Sequence, residues 1–182
     1  MWIRFMIVLG FGLLLASQAH SQDVFEAART GNIRQLKKLI ALNKDTIQKM
    51  NHMGFDPLMI ACYRGQTKCA EFLVQSGADV NRPSPEGSAL QAACYQNNTE
   101  LAAVLVKAGA NLNVQGPDGN TALMYAVLNQ NEKLVKTLVE AGSDLTKRNT
   151  DNQTAYSLAM TQPNTEIQKL VKTESVQPSP GK

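Results

Sequence analysis

Apolar residues recur at helical spacing along most of the chain, in short runs that turn residues interrupt. Leu101, Val104 and Leu105 share one helical face, with alanines between them. Such runs end in glycines, which suit the left-handed conformation at a helix terminus: Gly77, Gly109 and Gly142. The pattern predicts pairs of short helices joined by tight turns, and therefore an all-α protein.

The clearest pair has a first helix over about 56–63 and a second over about 67–75. Each second helix needs a side-chain oxygen for its first exposed N–H groups, and serine, threonine, aspartate and asparagine supply one. We expect Thr67 and Thr99 to be these N-cap residues.

The same pattern returns about every 33 residues. One row of equivalent positions, spaced by 32, 33 and 33 residues, is Leu58, Leu90, Leu123 and Tyr156. A second row at the same intervals is Ala61, Ala93, Ala126 and Ala159. A period of this length indicates stacked helix pairs, since a single pair cannot bury its apolar face alone.

Two phrases in each repeat resemble the ankyrin repeat, whose consensus has Thr-Pro-Leu-His-x-Ala-Ala on its first helix and Gly-Ala-Asp-Val-Asn after its second. From positions 56, 88 and 121 the chain reads Asp-Pro-Leu-Met-Ile-Ala, Ser-Ala-Leu-Gln-Ala-Ala and Thr-Ala-Leu-Met-Tyr-Ala. The second phrase begins at Gly77, Gly109 and Gly142. The resemblance covers residues 22–172 and implies an ankyrin-repeat solenoid of about five helix-turn-helix units, the outer two being caps. The expected repeats are 22–50, 51–82, 83–115, 116–148 and 149–172.

The consensus histidine is missing from every repeat. Met59, Gln91, Met124 and Ser157 stand in its place. In the family that histidine helps to tie neighbouring turns together, so the sequence leaves open how this chain links them.

An uninterrupted apolar run, Phe5–Leu15, lies near the amino terminus. Arg4 precedes it and small polar residues follow, which is the layout of a secretory signal peptide. Its eleven residues are too few for a spanning helix, which needs about 20 apolar residues. We expect a signal peptide over 1–21, cleaved after Ala19 or Ser21, with an uncleaved anchor as the alternative.

The other end of the chain, residues 173–182, has almost no apolar side chain to bury, and we expect a disordered tail there. With its expected signal peptide, the chain looks like the small ankyrin proteins that bacteria send to the periplasm. That resemblance implies a periplasmic or secreted protein, either an immunity partner that blocks a toxin or a protein linked to oxidative-stress protection.

Composition narrows the function further. Lys and Arg number 18 against 15 Asp and Glu, and no basic run indicates binding to nucleic acid. Two histidines and scattered carboxylates give no catalytic, cofactor-binding or metal-binding pattern. We expect a monomeric non-enzyme without a cofactor, and without a membrane span once the signal peptide is removed.

The three cysteines, Cys62, Cys69 and Cys94, lie in apolar helical settings. An odd number is not a disulfide framework, and we interpret them as small core residues. A Cys62–Cys69 bridge and a reactive thiol remain as alternatives, the latter with a redox or enzymatic role.

Ankyrin repeats usually bind protein partners through the concave face of their first helices and through the loops between repeats. Carried over by position, the candidate concave residues are Tyr63, Arg64, Tyr95, Gln96, Leu128 and Asn129. The candidate loop residues are Phe55, Asp118, Asn120 and Asp151. Four of these candidates would form an apolar strip beside Arg64, namely Phe55, Tyr63, Tyr95 and Leu128. Tyrosine and arginine dominate interface hot spots, although these side chains could instead pack on one another. A structural scaffold with several weak partners is a further alternative.

Overall fold

The computed structural model describes residues 24–172. The expected signal peptide over 1–21 and the expected tail over 173–182 lie outside the described residues. The described residues form helices joined by turns and loops, with no strand, which confirms the predicted all-α class. No helix within 24–172 has the length and apolar character needed to cross a membrane.

The helices belong to two compact units, of which the first ends at Asp79. Its helices are α1 (24–30), α2 (Ile33–Leu42), a 3-10 helix (Lys44–Gln48), α3 (Pro57–Tyr63) and α4 (Thr67–Gln75). Helix α2 packs against α4, and α3 packs against both α4 and the 3-10 helix. Leu36, Leu58 and Leu73 are fully buried in this unit.

The second unit begins at Val80 and contains three helix pairs. They are α5 (Ala89–Tyr95) with α6 (Thr99–Lys107), α7 (Ala122–Leu128) with α8 (Glu132–Glu140), and α9 (Ala155–Met160) with α10 (Thr165–Leu170). The first helices of the pairs, α5, α7 and α9, lie side by side, and so do the second helices, α6, α8 and α10. The unit is therefore two layers of helices that enclose one apolar core.

The repeated core positions are buried as the period predicted. Leu58, Leu90 and Leu123 are fully buried, and so is the whole alanine row. Tyr156 is the exception in the leucine row, since it is exposed on α9. No described helix pair follows α9 and α10 to cover it.

The residue before each first helix is its N-cap. The Asp56 side chain accepts a hydrogen bond from the Met59 backbone N–H at 2.7 Å, and three further residues cap their helices in the same way: Ser88, Thr121 and Thr154. The first phrase of the repeat therefore starts each helix as well as supplying its buried leucine.

The prediction that Thr67 and Thr99 are N-caps is wrong. Both are the first residue of their helix, and the caps are Gln66 and Asn98. Asn98 has the non-helical backbone that a cap requires, and its side chain accepts from the Leu101 N–H at 3.0 Å. Asparagine is also at least as strong a cap as threonine. Gln66 makes no side-chain capping bond.

The glycines after the second helices adopt the expected left-handed backbone. Their φ angles are 96° at Gly77, 83° at Gly109 and 93° at Gly142. This conformation turns the chain back towards the next repeat at little steric cost, because glycine has no Cβ.

A buried glutamine links two neighbouring turns of the second unit. Gln91 occupies the consensus histidine position and is only 3% exposed. Its Oε1 accepts from the Ser88 N–H at 2.7 Å, and its Nε2 donates to the Asn120 carbonyl of the next repeat at 2.6 Å. One side chain therefore closes a capping box and reaches the next turn.

Asparagines that end the second phrase supply further links within this unit. The Asn81 side chain donates to the Gly109 carbonyl at 3.0 Å and accepts from the Asn111 N–H at 2.7 Å. One repeat later, Asn113 accepts from the Asp144 N–H at 2.8 Å. The repeats are thus joined by a regular set of side chain to backbone hydrogen bonds.

Candidate protein-binding surface

The first helices of the second unit carry no charged residue. The last residue of each is nevertheless exposed to solvent. The exposed fractions are 61% for Tyr95, 42% for Leu128 and 54% for Met160. Because α5, α7 and α9 are neighbours, these three residues form an apolar row along one end of the helix layer.

Tyr95 is paired with a second tyrosine, from the first helix of the next pair, α7. The ring centroids of Tyr95 and Tyr125 lie 5.6 Å apart, and the rings are nearly perpendicular at 86°. This edge-to-face arrangement is favourable for aromatic rings. Sequence reasoning missed Tyr125, which takes the place of Ile60 and Ala92 in the other repeats. The signal that could have identified Tyr125 is its phenol hydroxyl, a hydrogen-bonding group that Ile60 and Ala92 lack.

Asp118 lies beside the hydroxyl group of Tyr125. The Tyr125 hydroxyl donates to Asp118 Oδ2 at 2.8 Å, as does the Asn120 side-chain amide at 2.6 Å. The Asn120 backbone N–H donates to Asp118 Oδ1 at 3.0 Å. Partial burial alone would raise the pKa of this carboxyl, but these hydrogen bonds, together with the Asp118 backbone N–H, outweigh it and lower the pKa below its ordinary value. Asp118 is therefore ionised near neutral pH.

The loop that carries Asp118 is fixed to the next loop. The Thr150 N–H and hydroxyl both donate to the Asp118 carbonyl, at 3.1 Å and 2.8 Å. Gln115 donates to the Gly119 and Arg148 carbonyls, at 2.8 Å and 2.7 Å. The two loops are thus held together by several hydrogen bonds, which fix the position of the Asp118 carboxylate before any partner binds.

Asn120 is not the exposed loop residue that the sequence predicted. It is only 9% exposed, and its side chain accepts from the Asn149 amide at 3.1 Å in addition to donating to Asp118. The side-chain amide of Asn120 therefore makes its hydrogen bonds within the unit, where it joins the two loops. Asp151, by contrast, is exposed as expected.

The remaining candidates on this unit flank Tyr95. Gln96 and Asn129 are both exposed. The Asn129 amide nevertheless donates to the Cys94 carbonyl at 2.9 Å and to the Tyr95 carbonyl at 3.4 Å. Asn129 therefore joins α7 to the end of α5 and holds the backbone beneath Tyr95 in place.

Phe55, Tyr63 and Arg64 belong to the first unit. The Phe55 and Tyr63 rings lie 5.9 Å apart at 54° and both are half-buried, so these two side chains do pack on one another. Arg64 is exposed beside them. A continuous strip from Phe55 to Leu128 stays a prediction.

The cysteines are free and buried. Burial raises the pKa of the Cys94 thiol to about 12, and it also raises the pKa of Cys62, with Asp56 adding to the effect, and of Cys69. The reactive thiolate is therefore disfavoured at each position, which agrees with the interpretation of small core residues. Within 24–172 no three side chains of the His, Cys, Asp or Glu type come together as a group that could hold a metal ion.

Comparison with known families agrees with this architecture. A family model described as ankyrin repeats (3 copies) matches residues 14–84 and 82–149. These matches cover more than half of the chain, which therefore belongs to the ankyrin-repeat family and has the helical solenoid fold of that family.

Curated relatives share only the repeats. Inversin from Gallus gallus is 41% identical over 71 residues, which are 39% of this chain and 6% of that protein. Ankyrin repeat and SAM domain-containing protein 6 from Danio rerio is 35% identical over 60 residues, 33% of this chain and 8% of that protein. Palmitoyltransferase akr1 from Neurospora crassa is 32% identical over 75 residues, 41% of this chain and 10% of that protein. The chain thus matches a tenth or less of each relative's length.

Ankyrin repeats generally mediate interactions between proteins and are typically binding modules without enzymatic activity. The class of function that follows from the family is therefore protein binding.

Proposed function

We propose that this protein is an exported module that binds one protein partner through the first-helix face and the loops of its second unit. The observation that carries the proposal is the uncharged helix layer whose ends expose Tyr95, Leu128 and Met160. Apolar side chains in such a row mark interaction sites, and tyrosine is enriched among interface hot spots.

The rigidity of this surface supports the same proposal. Thr150 and Gln115 connect neighbouring loops, and Asn129 connects neighbouring first helices. A surface that is already ordered loses little conformational entropy when a partner binds. The surface can therefore bind with useful affinity although it is small.

Export is the second part of the proposal, and it rests on the amino-terminal sequence. The apolar run Phe5–Leu15 and the small residues Ala19 and Ser21 have the order of a secretory signal. The protein would then act in the periplasm or outside the cell, where a toxin to be blocked and an oxidative stress are both encountered. Mass spectrometry of the mature chain tests this part, since export predicts a new amino terminus after Ala19 or Ser21. An intact Met1 would exclude cleavage.

Affinity capture from the native compartment tests the binding surface. The bait is the mature protein, compared with a Tyr95→Ala, Leu128→Ala variant whose native fold is first checked by circular dichroism. Lys133→Ala is the control, because Lys133 is an exposed residue of the second-helix layer. A separate Tyr63→Ala, Arg64→Ala variant tests the first unit.

We expect one protein to be retained by the unchanged bait and by Lys133→Ala but lost with the Tyr95 and Leu128 variant. A toxin among the captured proteins would favour the immunity role, and an oxidative-stress protein the protective role. Equal retention by all baits would contradict the choice of surface. Repeated failure to retain any protein would contradict the dedicated binder and favour a scaffold with weak partners.

A further inference from the structure

Tyr95, Tyr125 and Asp118 form one connected cluster on the second unit. The Tyr95 ring is largely exposed and rests at a right angle against Tyr125. The Tyr125 hydroxyl reaches the Asp118 carboxylate at 2.8 Å. An exposed aromatic ring and a negative charge are thus connected through a single side chain, Tyr125.

The Asp118 carboxylate keeps capacity for another donor. A carboxylate offers about four acceptor positions. Oδ2 accepts from the Tyr125 hydroxyl and the Asn120 amide, and Oδ1 accepts from the Asn120 backbone N–H. Oδ1 receives one of these three bonds, the Asp118 backbone N–H makes the smallest contribution to stabilising the carboxylate, and Asp118 is exposed to solvent. A donor from outside the chain can therefore reach it.

No positive charge of the described chain neutralises this group. Three surface ion pairs of the described residues lie elsewhere, on helices α1, α8 and α10. Of the basic residues on the adjacent loop, Lys147 acts on the carboxylate of Asp144, and the Arg148 guanidinium donates to the Asn152 carbonyl at 2.9 Å. The pKa of Asp118 shows no contribution from a cation. The cluster therefore presents an uncompensated negative charge beside an aromatic face.

We propose that Tyr95, Tyr125 and Asp118 form an anchor site for an arginine side chain of the partner. This inference rests on the proposed function and specifies the chemistry of its partner. A guanidinium is planar, so it stacks on the Tyr95 ring. In that position its N–H groups donate to Asp118 Oδ1 in a charge-assisted hydrogen bond. A lysine ammonium is a compact charge without a plane to stack, and an apolar or acidic side chain leaves the carboxylate uncompensated.

Peptide titration tests the site without knowledge of the partner. The probes are three capped tripeptides that differ in the central residue: Gly-Arg-Gly, Gly-Lys-Gly and Gly-citrulline-Gly. Citrulline has the shape of arginine without its charge. The mature protein, as its host processes it, is labelled with 13C, and the tyrosine ring signals are followed by NMR.

We expect saturable shifts of the Tyr95 and Tyr125 signals with the arginine peptide, weaker ones with lysine, and none with citrulline. Asp118→Asn is expected to weaken arginine binding at least about tenfold, since it removes the charge from the hydrogen bond. Tyr95→Leu is expected to weaken it about threefold, the usual effect of one exposed cation–π contact. Both variants must retain the wild-type circular dichroism spectrum and be fully folded at the temperature of the titration.

Two control variants match these changes elsewhere on the unit. Tyr156→Leu removes another exposed tyrosine, and Asp151→Asn removes the charge of an exposed carboxylate on the next loop. Both are expected to leave arginine binding within a factor of two of the unchanged protein. An equal loss in Asp151→Asn and Asp118→Asn would overturn the site, because general charge attraction would then explain the result.

Equal shifts with arginine and citrulline, or none with arginine, would overturn the inference. An equal or stronger response to lysine would overturn the guanidinium assignment. The proposed function and the arginine anchor site are contradicted by different outcomes. If a captured partner binds the Asp118→Asn variant as tightly as the unchanged protein, protein binding stands and the arginine anchor falls. If the peptide titration succeeds but no partner is ever captured, the site chemistry stands and the dedicated binder falls.

Discussion

The buried glutamine at position 91 gives the sharpest test of how the repeats are coupled. The change is Gln91→Met, which installs the residue found at the equivalent positions of two other repeats, Met59 and Met124. Methionine has nearly the same length and removes both hydrogen bonds of the Gln91 side chain, those to Ser88 and Asn120. The substitution therefore isolates the polar link from the volume of the side chain.

The two lost bonds have different costs. The Asn120 carbonyl keeps a second hydrogen bond, from the Gly116 N–H at 3.1 Å, so this loss costs only the net value of one bond, about 0.5–1.5 kcal/mol. The Ser88 N–H lies in a buried residue and loses its Gln91 partner. An unsatisfied buried donor costs about 1–3 kcal/mol. Burial of the thioether offsets part of the sum, and we expect a net destabilisation of about 2–3 kcal/mol.

Urea unfolding followed by circular dichroism measures this change as a shift of the transition midpoint. Met124→Leu is the control at the equivalent position of the next repeat, where the side chain is fully buried. That swap conserves volume and is expected to cost less than about 1.5 kcal/mol. A change below about 0.5 kcal/mol for Gln91→Met would refute the coupling through Gln91, because a buried donor without a partner cannot be so inexpensive.

Three further outcomes follow from other contacts. In a thiol titration, we expect no fast reaction of the native protein and three reactive thiols after unfolding; one fast native thiol would contradict core filling. Gly119→Ala would place a Cβ 2.7 Å from the Thr150 backbone nitrogen, whereas Gly109→Ala meets nothing within 4 Å. Both substitutions place alanine in a left-handed backbone, and Gly119→Ala adds a steric clash. Thermal unfolding should therefore show a larger decrease in melting temperature for Gly119→Ala, and equal decreases would contradict the close loop contact. Because folding lowers the pKa of Asp118, its ionised form stabilises the fold above the unfolded pKa, and this contribution is lost as the pH falls through the folded pKa. Asp118→Asn should therefore flatten the acid side of the stability curve, and an unchanged curve would contradict the lowered pKa.

Features that depend on local sequence could be predicted without the structure. A leucine at helical spacing, an oxygen-bearing residue before a helix and a glycine after one act within a few residues of each other. The buried row that contains Leu90 and the left-handed Gly109 were therefore predicted from the sequence. The cap at Ser88 has the same kind of local signal but was not among the predictions. Thr99 was misplaced by one position because two capping residues are adjacent, and only the backbone angles decide between them.

The candidate surface was predicted less well because it depends on contacts about thirty residues apart. Asn120 was expected to be available to a partner, but the neighbouring loop covers it. One of its hydrogen bonds comes from Asn149, 29 residues away. Tyr125 was overlooked, although it joins Tyr95 to Asp118. No spacing rule predicts which polar side chains a neighbouring loop will cover.

The sequence by itself determined the helix pairs, their period, the ankyrin-repeat family and the composition of the core, because these follow from local preferences repeated along the chain. The tertiary structure decided which polar groups serve the fold and which remain available to a partner. Gln91 and Asp118 are both polar residues near the start of their repeats, 83–115 and 116–148. Gln91 is enclosed and bridges two turns, whereas Asp118 is left charged and exposed. The difference arises from how neighbouring repeats pack, which fixes where water is excluded.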